Sequence, residues 1–327
     1  MNKHSYREYQ DFLDLQKFNF PLAHFETLEI ISHQNEIYPI EAIIIGPRDK
    51  KIPTLGLFGG VHGLERIGSQ IIISFLHSLL TQLTWDQDLQ ETLENYRLVS
   101  IPIVNPVGVA KFTRCNPNHV DLMRNAPIEA TGKTSPLVSG HRLSPILPWY
   151  RGTEGVFEKE AETLINFVKK EMFTSDISLA LDVHSGFGLK DQIWYPYAKS
   201  QDEFPRKKEV LALKNLLDKT YPHHIYKIES QSDNYVTHGD LWDYLFEQHQ
   251  NEFNQDKNLF LPLTLELGSW NWIKKNPLQF FSKIGLFHPL KQHRHARIMR
   301  RHLMLLNFLM RATRNYQNWV GLPPTKI

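Results

Sequence analysis

The chain has 327 residues, with 37 basic and 35 acidic side chains and a formal net charge of +2. At 41% hydrophobic and 22% charged, it is long and apolar enough to bury a sizeable core, which excludes disorder as its dominant state. Balanced bulk charge does not call for a polyanion-binding surface, although it leaves room for a local patch; no nucleic-acid partner is expected, and a single cysteine excludes an intrachain disulfide framework.

The first twenty residues are polar and mixed in charge, without the apolar stretch of a secretory signal. The strongest apolar runs, 71–80 and 302–310, are too short to span a bilayer. A cytoplasmic location and no membrane partner are therefore the expectation. Isoleucine-rich 40–45 reads as a strand starting after Pro39, and 54–60 as a buried strand ending in a glycine pair. Helical periodicity follows over 65–83. Residues 96–104 read as a strand stopped by Asn105-Pro106, and 154–173 as an amphipathic helix. Residues 177–183 read as a buried strand ending at His184. Residues 209–219 and 239–248 read as helices, 259–267 as a strand, and 294–313 as a basic amphipathic helix. The stretch 127–148, rich in Ser, Pro and Gly, reads as a surface excursion or a lid over the site.

Buried strands alternating with helices predict an α/β fold: a single domain with a mixed, mostly parallel β-sheet and helices on both faces. Functional groups in such sheets gather beyond the carboxyl ends of the strands. His62, Glu65, Asn105, His184 and Glu266 all follow or end predicted strands. His62 and Glu65 are three apart, so one helical turn would place them on one face. Taken alone, they are either a hydrogen-bonded pair capping the next helix or two metal ligands. His184 is either a core-edge histidine or a third ligand. Two imidazoles and a carboxylate would leave a fourth zinc position open for water.

The wider set of motifs resembles the zinc carboxypeptidase family, of the metallocarboxypeptidase A and B type. In order these are GGVHGLE at 59–65, VNPVG at 104–108, TRCNPNHVDLMRN at 113–125 and YRG at 150–152, with Glu158 and Glu160 nearby. Then come LDVHSG at 181–186, YVTHGDLWDY at 235–244 and LTLELG at 263–268. The resemblance implies one Zn2+ ion held by His62, Glu65 and His184, with Asp121 as the carboxylate behind His62. It implies Glu266 as general base and Arg114 as the cation that stabilises the oxyanion. Arg124 would grip a substrate carboxylate through its planar fork. Tyr235 would close over the substrate, with Asp243 in the family's register, and Trp242 falls where the side-chain pocket is set. Asp182, one pleat deeper than His184, reads as structural.

Met123 departs from the pattern, because the family usually carries Asn there to share the grip on a terminal carboxylate. A thioether cannot donate a hydrogen bond. The carboxylate subsite is therefore expected to be weakened, and Asn125 is the candidate substitute. The implied function is hydrolysis of an amide bond in a peptide or peptide-like substrate. The nearest enzymatic alternative is an N-acyl amino acid deacylase of aspartoacylase type, and a catalytically silent binding protein is a third reading. Cys115 as a nucleophile, the His223-His224 pair as a metal site and the 291–302 arginines as a polyanion surface are each set against blander roles. Those roles are an inert thiol, a loop pair and a solvated helix face. Neither an activation prosegment nor an extra carboxyl-terminal domain is expected.

Overall fold

Strand and helix alternate along the computed structural model, which describes residues 2–3, 5–253 and 258–321. Strands β1–β9 are Asn2–Lys3, Ala23–His33, Glu36–Ile45, Thr54–Gly59, Arg97–Ile101, Ile177–Phe187, Gln192–Tyr195, Lys227–Ser230 and Leu259–Gly268. Helices α1–α9 are Arg7–Leu15, Arg66–Gln82, Gln87–Thr92, Pro106–Lys111, Lys159–Met172, Lys207–Thr220, Leu241–Glu252, Trp270–Lys275 and Gln292–Arg314.

The strands form one sheet in the order β2-β3-β5-β4-β6-β9-β7-β8, with the short β1 beside the start of β3. The central neighbours β5, β4, β6 and β9 run parallel, while β3 against β5 and β7 against β9 are antiparallel. Strands β4, β5 and β9 are buried at every position. Continuous apolar runs such as Leu259–Leu263 are what strands covered on both faces require. Helices α1, α2 and α9 pack together, and α2 and α9 both lie against β4 and β6. Helices α5 and α7 pack on one another, α5 also meeting β4 and α7 meeting β9. The expected α/β architecture is present. No single helix among the described residues is long and apolar enough to cross a membrane.

Several boundaries differ from the sequence reading. Strand β3 begins at Glu36 and runs through Pro39, which pairs with Ile30 of β2. Proline is tolerated where a strand is not bonded on both sides, and β5 joins β3 only at Ile43–Ile45. The long edge strand β2 is absent from that reading. Its partial burial and the bulge between Thr27 and Glu29 break the strict alternation that would have revealed it. Strand β6 continues through His184 to Phe187, so this histidine sits within a strand rather than after one. Helix α2 starts at Arg66, which leaves His62 and Glu65 in the turn before it.

That turn is held close to the sheet by two glycine contacts. A Cβ at Gly68, in the first turn of α2, would stand 2.3 Å from the Val183 carbonyl oxygen on β6. A Cβ at Gly63 would stand 1.9 Å from the Gly108 carbonyl carbon on α4. These close approaches set the distance between the β4–α2 turn and the end of β6. Gly68→Ala should therefore destabilise the fold by about 1–3 kcal/mol, the usual cost of overpacking, in a denaturant titration. It should also weaken divalent-metal binding, because it pushes His62 and Glu65 away from His184.

Candidate active site

Three strand ends supply the centre. The turn after β4 carries His62 and Glu65, and it is closed by a Glu65 N–H donating to the His62 carbonyl at 3.0 Å. Strand β6 carries His184, and β9 places Glu266 directly opposite it in the ladder. All four side chains are nearly buried. Asn105, another polar residue at a strand end, has a supporting role. Its side chain caps α4 at the Gly108 N–H and donates to the Val61 carbonyl, bracing the His62 turn.

His62 Nδ1 lies 2.9 Å from Glu65 Oε1, and His184 Nδ1 lies 2.9 Å from Glu65 Oε2. The other face of each ring meets a carboxylate: Asp121 Oδ1 stands 2.9 Å from His62 Nε2, and Asp182 Oδ2 stands 2.7 Å from His184 Nε2. If each Nε2–H is given to its carboxylate, each Nδ1 turns a lone pair toward a Glu65 oxygen. Two acceptors at that separation repel unless a proton or cation lies between them. Burial opposes the charged form of His184, yet Asp182 and Glu65 outweigh it and hold that imidazole well above its ordinary pKa. Burial likewise opposes the Glu65 carboxylate, but the two histidines keep it ionised. The pocket therefore draws positive charge to one point, and donor atoms of His62, Glu65 and His184 converge within 4.8 Å of one another. Two imidazoles and one carboxylate are a donor set that suits zinc.

Asp182 was read as structural, but it does for His184 what Asp121 does for His62. The i, i+2 alternation of β6 was the available signal, and the second imidazole nitrogen is what it serves. Asp182 Oδ2 also accepts the indole N–H of Trp242 at 2.9 Å. Trp242 is thereby displaced from its expected place in a side-chain pocket. It lies buried, packed on Phe58 at 5.2 Å, and does not line the cavity. Asn125 is also displaced. Its amide donates to the Arg151 and Val156 carbonyls and its oxygen accepts the Glu158 N–H, so it ties the loop together rather than facing a ligand.

A cavity of about 570 Å³ opens over the centre, and His62, Glu65, His184 and Glu266 face it. Arg114, Met123, Arg124 and Tyr235 line it too. Asp121 anchors both arginines: Oδ2 accepts from Arg114 Nε at 3.0 Å and from Arg124 Nη1 at 3.3 Å. Arg124 Nε is also committed, to the Val138 carbonyl at 3.2 Å. Burial raises the Tyr235 hydroxyl to about 12, so it stays protonated, and its ring packs on Phe187 and Trp194. Burial, reinforced by the charge on Glu65, holds Glu266 well above the usual carboxylate range, and its Oε1 accepts the Phe187 N–H at 2.9 Å.

The excursion 127–148 contains no helix or strand. Val138 and Pro148 from it, with Trp149 just after, form one wall of the cavity. Asp240 also lines the cavity, a position the sequence did not single out. It caps α7 at the Trp242 and Asp243 N–H groups, and burial raises it to about 6. Asp243 instead accepts N–H bonds from Ala198 and Lys199 below the cavity. Cys115 is partly buried, and burial lifts its thiol to about 12, which removes the thiolate that nucleophilic attack needs. His224 bonds Asp218 at 2.7 Å, consistent with a loop role.

The fold is of carboxypeptidase architecture, and the donor set at the end of its central strands suits a metal ion. The family model for zinc carboxypeptidase matches residues 24–278, and the chain belongs to that family. Carboxypeptidase SOL1 of Arabidopsis thaliana is 23% identical over 252 residues, which is 74% of this chain and 45% of that protein. The inactive metallocarboxypeptidase ECM14 of Arthroderma otae is 28% identical over 175 residues, 48% of this chain and 28% of its own. The chain thus spans less than half the length of the curated relatives it matches. Among solved structures, bovine thrombin-activatable fibrinolysis inhibitor, in complex with tick carboxypeptidase inhibitor, superposes with a TM-score of 0.65. The identity there is 14%, over 96% of this chain and 98% of that one. Carboxypeptidase A of Helicoverpa armigera gives a TM-score of 0.58 at 18% identity, over 91% and 73% of the two chains.

The carboxylates behind the two imidazoles are separable from the ligands themselves. Asp182→Asn should leave the fold intact and weaken zinc affinity by about 10- to 100-fold, read by competition with a chromophoric chelator. Unchanged affinity would mean that His184 needs no such support.

Proposed function

We propose that the chain is a zinc-dependent hydrolase of an amide bond in a peptide or peptide-like substrate, with Glu266 as general base. The observation that carries this reading is the placement of Glu266. It stands across from His184 on the adjacent strand and faces the same cavity as His62 and Glu65.

When bound by His62, Glu65 and His184, zinc supplies Lewis acidity, polarising a carbonyl oxygen and acidifying water. Glu266 takes the proton from the attacking water and returns it to the leaving nitrogen. A carboxylate with a raised pKa suits both halves of that transfer. Arg114 presents its guanidinium to the cavity from a salt bridge with Asp121 and a longer one, 3.3 Å, with Glu65. Fixed in this way, it is a preorganised donor for the oxyanion. Tyr235, protonated and packed on aromatic rings, offers a hydroxyl donor from the cavity wall.

Substrate grip falls to Arg124. Its Nε is bonded to a backbone carbonyl and Nη1 to Asp121, so only part of the fork is left for a ligand. Met123, also on the cavity wall, adds no donor. This supports an altered carboxylate subsite, in which a free carboxyl terminus helps binding without being a strict requirement. An N-acyl amino acid would present the same amide and carboxylate, and belongs in the substrate panel beside peptides.

Glu266→Gln should lower hydrolysis by about 10²–10⁴-fold while the protein still binds one zinc per chain by elemental analysis. Full activity in that variant would remove the mechanism. Paired peptides differing only in a free or amidated carboxyl terminus should both be cleaved, at rates within about two orders of magnitude, the scale of one charge-assisted hydrogen bond. Cleavage of the free acid alone would show that Arg124 suffices without the missing amide.

A further inference from the structure

The near-neutral total charge hides a strong imbalance along the chain, although Asp191 pairs with Arg301 and Asp11 and Asp14 lie near His295. Residues 267–327 contain eleven of the 37 basic side chains and none of the 35 acidic ones. Near the start of this stretch, α8 and the 3-10 turn Pro277–Phe281 form a projection beside the mouth of the cavity. Trp270 opens the projection, and Leu286 and Phe287 follow it, and all three line the cavity. Between them, Leu278, Phe280 and Phe281 have 76%, 65% and 85% of their surface in solvent. The two phenylalanine rings meet edge to face at 6.1 Å. Lys274, Lys275 and Lys283 bracket this apolar tip, and all three are exposed. Arg294 at the start of α9 donates to the Trp272 carbonyl at 2.8 Å, so the basic beginning of α9 lies against α8.

Beyond the Arg294 bond to Trp272, local stability explains neither the exposed apolar tip nor the lysines around it. Three large apolar side chains on one five-residue turn are exposed and contribute little to the core. Arg294 and Arg297 occupy the first two turns of α9, where the helix dipole favours acidic side chains rather than basic ones. A bilayer with anionic headgroups satisfies both features at once. The apolar tip enters the interfacial layer while the surrounding lysines neutralise headgroup charge.

We propose that the projection formed by α8 and Pro277–Phe281 docks this protein reversibly on an anionic phospholipid surface, with the cavity mouth beside the lipid. A soluble polyanion would use the charges but leave the aromatic tip idle. A protein partner would bury the tip, but it would not call for exposed lysines on both sides of it. The docking is peripheral, needs no spanning helix, and does not depend on which bond the site cleaves.

The test uses the full chain with vesicles of phosphatidylcholine alone and with about one third phosphatidylglycerol. The protein should co-sediment with the anionic vesicles only, and less so as salt is raised. Phe280→Ser with Phe281→Ser should lower the partition coefficient at least about tenfold. Lys274→Gln, Lys275→Gln and Lys283→Gln should lower it about fivefold for each charge removed. Both variants should keep the wild-type melting temperature and zinc content, since none of these residues faces the metal centre. Equal sedimentation with neutral vesicles, or with neither kind, would overturn the proposal. So would anionic binding that ignores the phenylalanines, or that DNA of equal charge competes away in wild type and Phe variant alike. Self-association without lipid that depends on Phe280 and Phe281 would assign the tip to a second copy of the chain instead.

Discussion

The bidentate position of Glu65 between two imidazoles is the constraint on which the site depends. Each of its oxygens faces a histidine Nδ1, and each histidine is backed by a buried carboxylate on its far side. Such an arrangement brings three formal negative charges and two imidazoles into a nearly dry space. Desolvating unpaired charge is costly, so the arrangement is tolerable only where positive charge is supplied. Arg114 and Arg124 supply part of it through Asp121. The donors of His62, Glu65 and His184 converge where a divalent cation would supply the rest.

Holding these groups in register is a task for the sheet, not for the loops. His184 and Asp182 alternate on a strand that is hydrogen-bonded on both sides, so their spacing cannot drift. Glu266 is locked opposite His184 by the same ladder. Among the three converging donors, His62 and Glu65 come from the irregular β4–α2 turn, which is pinned from two directions by backbone contacts at Gly63 and Gly68. Ligands fixed by strands and by glycine-sized gaps keep their geometry at little entropic cost, which is what preorganised catalysis requires.

One indole links two parts of the site. Trp242 belongs to α7, which Asp240 caps at its first turn. By donating to Asp182, Trp242 ties that helix to the carboxylate that orients His184. Asp240 reaches the cavity from the same turn. Cavity wall and metal support are thus anchored on a single helix, so packing changes in α7 act on both.

Much of this was readable in one dimension. The order of buried strands, the His-x-x-Glu turn, the second histidine and the carboxylate ending β9 are local patterns, and strand periodicity alone places them at one end of a sheet. Sequence could not show which way side chains turn outside the sheet. Asn125 and Trp242 carry the right chemistry at the right register, yet backbone carbonyls claim the first and Asp182 claims the second. Asp182 was undervalued for the converse reason: its value depends on which ring nitrogen of His184 is left over, and that is decided by where Glu65 lies, 119 residues earlier in the chain. The edge strand β2 and the apolar tip at Phe280 and Phe281 escaped notice because pairing and exposure depend on neighbours distant in the chain. The sequence by itself determined which groups are available for chemistry. The tertiary structure alone decided which of them converge, because convergence is set by strand register and close packing between segments far apart in the chain.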